Sequence, residues 1–421
     1  MAIRNPRRSA WEFLQDSERN DSYLNLTMNG LLESLDPRDR PFATELVYGS
    51  VRMRRWLDHV IDRLIDRQID DPTRSVLRLA CYEALKMDTA DHAVVNEYVE
   101  LAKSVIGRSR SSLINAVLRR LLREERTISQ EELPLGIRTS HPDWIVRAYS
   151  EVVPQDALER ELLSHNESPS TQIVSFVDLD PTIASKSSNT PHGYQLLKMP
   201  NEVDAIRSGG AFVQDEGSQV VCEIALSTDP GRDGRWLDLC AGPGGKFGYL
   251  SRFIDTDHLM GNEIHPHRAN LVSKRAPGFK VHVGDGRELA ARGERFDRIL
   301  LDAPCTGIGA LRRRPDARWR RSEADLKALI VLQRELLDAA AELLSPKGII
   351  IYATCSPHLL ETKVQVVDFL RRHPDFLLKP IEEEVLPPTF RPAVTKEGMV
   401  QLLTGRDGTD AMFVSLLAKV D

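Results

Sequence analysis

The sequence predicts a multidomain protein, an all-α bundle followed by an α/β domain built on a parallel sheet, and three observations predict it. At 421 residues the chain exceeds what one hydrophobic core normally organises. From about residue 5 to 125, apolar residues recur at helical spacing with no convincing strand. From about residue 211, short apolar strands alternate with amphipathic helices, as parallel strands covered on both faces require.

In the first part, Asp71-Pro72 opens a helix with a capping residue and the residue best tolerated in a first turn. Val76, Leu77, Ala80, Cys81, Ala84 and Leu85 mark its buried face. Val94, Val95, Tyr98, Val99 and Ala102 mark the next helix, and Leu113, Ile114, Val117, Leu118, Leu121 and Leu122 the one after. A helical bundle is the economical packing. Residues 126–140 are polar and irregular, His141-Pro142-Asp143-Trp144 starts another helix, and 165–200 reads as short strands between loops. Strands are then expected at 235–240, 258–264, 279–285, 296–304 and 348–355, with helices at 245–254, 266–276, 322–344 and 358–372. The domains implied are 1–127, a linker and small α+β subdomain at 128–210, and 211–421.

Composition excludes several classes. Apolar residues are 41% and charged residues 28%, an ordinary globular balance, and no run approaches the roughly 18 apolar residues of a membrane span. The N-terminal MAIRNPRRSAWEFL has no apolar stretch ahead of a small-residue cleavage site, so a cytoplasmic protein without membrane contact is expected. Cys81, Cys222, Cys240, Cys305 and Cys355 show neither metal-ligand spacing nor a disulfide framework, and no metal is expected. The formal charge of −6 means that any nucleic-acid contact must rest on local positive charge.

Parallel sheets bind ligands beyond the C-terminal ends of their strands. The first catalytic strand ends at Asp238-Leu239-Cys240, followed by Ala241-Gly242-Pro243-Gly244-Gly245-Lys246. A phosphate-cradling GxxxxGK[ST] fails at Cys240 and Phe247, and GxGxxG fails at Phe247. Glu263 closes the second strand, where it can accept from ribose hydroxyls, and Asp285 closes the third, where it can accept from an adenine amino group; the alternatives are a surface acid and a helix cap. A glycine turn with acids on successive strand ends describes an adenosine site without a phosphate cradle, which suits S-adenosylmethionine. Arg268 is a further candidate for this pocket.

Two cysteines end strands on the same crevice, in Asp302-Ala303-Pro304-Cys305 and Thr354-Cys355-Ser356. Cys81 and Cys222 read as small core hydrophobes, and Cys240 as backbone lining of the cofactor turn. A thiolate gives the pair a chemistry. Cytosine C5 attacks a methyl sulfonium only after a nucleophile has added to C6, and a thiolate both adds and leaves. Asp302 can hold the cytosine by its amino edge and ring nitrogen during addition. Position alone does not rank the two thiols.

These segments resemble the RNA cytosine-5 methyltransferases of the Sun (Fmu) branch, whose bacterial members act on 16S ribosomal RNA. The resemblance rests on VQDEGSQ (213–219), LDLCAGPGGK (237–246), GDGR (284–287), LLDAPCTGIGALRRRPD (300–316) and YATCS (352–356). ATELVYGSVRMRRWLD (43–58) and VVNEYVELAKSV with SSLINAVLRRLL resemble the NusB-type RNA-binding domain of that branch. The resemblance implies a Rossmann-like catalytic domain, S-adenosylmethionine held by Cys240 to Lys246 with Glu263, Asp285 and Asp302, Cys355 as nucleophile and Cys305 in product release. It also implies a loop cytosine near the P site as target, in RNA that is free or early in small-subunit assembly; the protein is expected to act as a monomer. The chain departs from the pattern at Gly242, Phe247, Glu263 and Ala411-Met412, in having Pro357 and a single Glu361 after Ser356, and in lacking the usual Arg-x-Asn in the strand before residue 180.

Leu311 to Arg321 carries six arginines against one aspartate, with Trp319 among them. Arg312, Arg313, Arg314, Arg318 and Trp319 are the expected RNA contacts, through phosphate pairing and base stacking. A competing reading is an inert RNA-binding or antitermination scaffold that uses the bundle alone, against which the intact glycine turn and cysteine pair argue. A DNA cytosine methyltransferase would attack with Pro304-Cys305 but would not carry the second cysteine in its TCS context.

Overall fold

The structure, a computed structural model, describes residues 5–20, 22–124, 132–231 and 233–420. The expected boundary at 127/128, residues 126–131 of the polar stretch and the first four residues lie outside the described residues. The chain folds as two compact units, Met1–Arg147 with Gln155–Ser168 and Leu311–Arg320, and Ala148–Pro154 with Pro169–Ala310 and Arg321–Asp421.

The first unit is helical: α1 (Pro6–Arg19), α2 (Leu24–Glu33), α3 (Arg40–Arg52), α4 (Arg54–Leu64), α5 (Asp71–Lys86), α6 (Asp91–Val105) and α7 (Arg108–Glu124). The periodic apolar positions supply its core, with Val76, Leu77, Ala80 and Cys81 of α5, Val94 and Tyr98 of α6, and Ile114 and Leu118 of α7 buried together. The cap of α5 lies one residue earlier than expected. Asp70 is extended and accepts from Thr73 N at 2.9 Å, so Asp71 becomes a first-turn acid, where the helix dipole favours it.

The arginine-rich segment belongs to this helical unit. Arg318 is 0% exposed. Its Nη1 donates to Arg52 O at 2.8 Å, Ser140 O at 2.9 Å and Asn166 Oδ1 at 2.8 Å, and Nη2 donates to His165 O at 3.3 Å. Trp319 donates from its indole to Val51 O at 2.7 Å with the Arg54 guanidinium over its ring, and Arg320 donates to Ser22 O at 2.6 Å. Asp316 is buried and accepts from Leu24 N at 3.1 Å. Arg318 is therefore corrected from an RNA contact to a bond within the fold, because a fully buried guanidinium held by protein oxygens is out of reach of a phosphate, whereas Trp319 is half-buried with its indole N–H already donated. Arg312 and Arg313 are half-buried, and Arg314 is exposed.

The second unit holds two sheets. The smaller is antiparallel, in the order β2 (Ala184–Lys186), β3 (Gly193–Leu196), β1 (Gln172–Ser175), β4 (Ala211–Val213). The larger runs β10 (Phe376–Lys379), β12 (Phe413–Lys419), β9 (Leu344–Thr354), β8 (Phe296–Asp302), β5 (Trp236–Asp238), β6 (Leu259–Glu263), β7 (Lys280–Val283), with β11 (Val400–Gln401) on β12. Strands β5 to β9 are parallel. Strand β12 adds antiparallel to β9 and β10 to β12, so the sheet is mixed, a Rossmann-like core with an antiparallel edge. Strand β5 lies between β6 and β8, so the chain reverses direction across the sheet there, and the crevice for a ligand opens at that switch. Leu237, Ile299, Leu301, Ile350 and Tyr352 pack one face against Leu336, Leu337 and Ala340 of the helix Glu323–Leu343. Among the described residues no helix is long and apolar enough to cross a membrane, and no group of three or more His, Cys, Asp or Glu side chains can hold a metal ion.

Candidate active site

Every strand from β5 to β9 delivers a polar or reactive residue at or just beyond its C-terminal end. Strand β5 ends at Asp238 and turns through Gly242 and Gly244, both left-handed at φ 56° and 87°. At Gly244 a side chain would meet the Val272 backbone at 3.0 Å, so the turn needs glycine for both conformation and space. The helix Gly245–Leu250 follows, and its Lys246 Nζ meets Asp302 Oδ2, at the end of β8, at 2.6 Å.

The turn from 240 to 246 and Lys246–Asp302 are thus one constellation. Burial works against the Lys246 charge, but the Asp302 carboxylate outweighs it and pushes the ammonium up to about 12. Cys240 is held far up as a neutral thiol by burial and by Asp238. Asp238 itself is 1% exposed with neither oxygen hydrogen-bonded, and burial together with the Asp302 charge pushes its carboxyl up to about 8. Gln214 is buried, neither end of its amide is hydrogen-bonded, and its Nε2 is the nearest atom to where a side chain on Gly245 would begin, at 3.8 Å. Reading the sequence for glycines and strand-ending acids passed over both. The signal for Asp238 was available, as an acid ending the strand ahead of the turn.

Glu263 is buried at the end of β6, where Oε1 accepts from His265 N at 2.9 Å. Asp285 follows β7 and is already engaged: Oδ1 caps Arg287 N at 3.0 Å, and the Arg287 guanidinium pairs with its carboxylate and holds it below the usual range. Its helix-cap alternative is the geometry observed. Arg268 is exposed on the helix Pro266–Arg275.

The two cysteines meet. Cys305 Sγ lies 3.3 Å from Cys355 Sγ, each half-buried. The hydrogen bond with Cys355, then burial and the negative charges of Glu361 and Asp302, hold the Cys305 thiol far above its ordinary range. In such a pair only one sulfur ionises readily. Parallel strands explain the meeting: Leu301 and Asp302 of β8 register against Tyr352 and Ala353 of β9, so the residues just beyond both ends emerge side by side.

Residues 225–418 match the family model described as 16S rRNA methyltransferase RsmB/F, and residues 4–123 match the NusB family. A relative from Mycobacterium tuberculosis named as a methyltransferase is 39% identical, over 98% of this chain and 96% of its own. The ribosomal RNA small subunit methyltransferase B of Pasteurella multocida is 30% identical, over 91% of this chain and 89% of its own. The solved structure of PH0851 shares the fold with a TM-score of 0.80 at 23% identity, covering 100% of both chains. Taken with the glycine turn and the strand ends, these likenesses mean that the chain belongs to the S-adenosylmethionine-dependent ribosomal RNA methyltransferases of the RsmB/F family, with a NusB-family helical domain ahead of its catalytic domain.

Proposed function

We propose that the protein methylates carbon 5 of a cytosine in 16S ribosomal RNA, in the cytoplasm, on RNA that is free or early in small-subunit assembly, through a covalent bond from Cys355 to C6. The observation that carries the reading is the 3.3 Å contact between two thiols at the ends of adjacent parallel strands, beside the Lys246–Asp302 pair.

S-adenosylmethionine, when bound, supplies a methyl group on a sulfonium. The residues suit it. The turn Cys240, Ala241, Gly242, Pro243, Gly244, Gly245 and Lys246 brings bare backbone to the crevice, and the unpaired Asp238 and Gln214 groups wait beside it. The second Glu263 oxygen is left for a ribose hydroxyl. Asp285 can serve an adenine amino group only alongside its bond to Arg287. Glu263→Ala should then weaken cofactor binding by about 1–3 kcal/mol, roughly 5- to 150-fold. Calorimetry that gave wild-type affinity in the folded variant would remove Glu263 from the pocket.

On the RNA side, Cys355 attacks as a thiolate, the role that the family resemblance implies, with the Cys305 thiol 3.3 Å away as its hydrogen-bond partner. That thiolate adds to C6, and the electron pair of the C5–C6 double bond makes C5 nucleophilic toward the methyl group. Asp302 accepts from the cytosine amino group while the Lys246 cation offsets charge gathering on the ring. Once Cys355 is a thioether, the main cause holding the Cys305 proton is gone. Cys305 loses that proton to water and takes the C5 proton, the double bond re-forms, and Cys355 leaves as thiolate. The base must be unpaired or flipped out to reach the thiol.

Bisulfite sequencing of 16S ribosomal RNA from cells lacking the gene tests the reading. One cytosine should lose protection and regain it with the wild-type gene but not with Cys355→Ala. Protection unchanged throughout would overturn the assignment to this RNA.

A further inference from the structure

The loops that carry the two thiols share one buried carboxylate. Glu361 is 0% exposed, in the short turn Leu359–Glu361, six residues beyond Cys355. Its Oε1 accepts from Thr306 N at 2.8 Å and from Gln333 Nε2 at 3.1 Å, and its Oε2 accepts from the Thr306 hydroxyl. Gln333, also 0% exposed, donates from the same nitrogen to Pro304 O at 2.9 Å. Tyr352, which registers against Leu301 of β8 and lies three residues before Cys355, donates from its hydroxyl to Glu361 O at 2.8 Å. The residues on both sides of Cys305 are therefore held by a glutamate and a glutamine, and the glutamate is on the Cys355 loop.

A carboxylate in a dry interior is costly unless its oxygens are hydrogen-bonded, and here three donors converge on it. The strands and the helix Glu323–Leu343 share an apolar face of their own, so Glu361 and Gln333 form a polar cluster beside it. What Glu361 does join is Thr306 to the loop of Cys355. We propose that Glu361 is a positioning residue, a clamp that holds the Cys305 and Cys355 sulfurs in contact so that nucleophile and base reach adjacent ring carbons. The consequence for catalysis rests on the covalent reading above, whereas the geometric claim does not.

The test separates the two. Diamide joins neighbouring thiols, each giving up a hydrogen as the disulfide forms while the diazene becomes a hydrazine. In the wild-type full-length protein it should link Cys305 to Cys355, mapped by peptide mass spectrometry. Glu361→Ala should slow that link about ten-fold or more and lower kcat for methyl transfer by a similar factor, with KM for S-adenosylmethionine and RNA within about two-fold. Glu361→Gln keeps an acceptor for Thr306 N and Gln333 and can donate to the Thr306 hydroxyl. It should restore both rates to within a few-fold. Thr306→Val, which keeps the side-chain shape, should slow both rates several-fold and carries the test if Glu361→Ala does not fold. Wild-type linking and turnover in Glu361→Ala, or a glutamine variant as impaired as the alanine one, would overturn the clamp. Linking that follows the clamp in an enzyme that makes no 5-methylcytosine would support the clamp and refute the covalent reading.

Discussion

Cys355→Ala should be inactive, with turnover lowered by about 10⁴-fold or more, and should form no covalent RNA adduct. Cys305→Ala should instead accumulate a methylated RNA–protein adduct that survives denaturing electrophoresis. The split follows from the order of bond-making. The thiol that adds to C6 is needed before the methyl moves, so its loss stops everything; the other is needed only to remove the C5 proton, so its loss strands the adduct. The structure brings the sulfurs to 3.3 Å, and the contact with Cys355 together with burial holds the Cys305 thiol far above its ordinary range. A stable adduct on Cys355→Ala would make Cys305 the nucleophile. Two active variants without any adduct would end the covalent mechanism.

Arg318→Ala should destabilise the helical unit by about 3 kcal/mol, read as an earlier unfolding transition in urea. Four oxygens, from Arg52, Ser140, Asn166 and His165, lose their donor at a site that is 0% exposed. The loss of the buried cation itself offsets part of that cost. Arg318→Lys keeps the charge but not the planar fork, so it should recover only part of the stability. The dependence of RNA affinity on salt should be unchanged in folded Arg318→Ala. Arg314→Ala, at an exposed position, should leave stability alone and flatten that slope by roughly 0.7–0.9 if the side chain pairs with a phosphate. A wild-type melt with a flattened slope in Arg318→Ala would return that residue to the RNA.

Local chemistry was legible where one element carries the whole signal. The α5–α7 cores were read from periodicity, and the glycine turn from residues that permit close backbone approach. Strand ends from β5 to β9 were read from apolar runs that stop at acids or cysteines. The antiparallel edge β10–β12 was not read, because an edge strand beside a parallel core shows no change in its own composition. The cap of α5 was misplaced by one residue because Asp70 and Asp71 are both competent caps, and only the backbone decides between them.

The sequence by itself determined which residues can be nucleophile, base, acid and glycine turn, because reactivity and backbone freedom belong to residue types. Tertiary structure alone decided which of them act together. It registered β8 against β9 so that two thiols 50 residues apart touch, and set Lys246 on Asp302. It buried Asp238 beside the glycine turn and turned Arg318 inward to carbonyl oxygens from three other segments. An arginine-rich run has the same composition whether it faces phosphate or peptide oxygen. The choice depends on which acceptors the fold brings within hydrogen-bond reach, and those acceptors are distant in the chain.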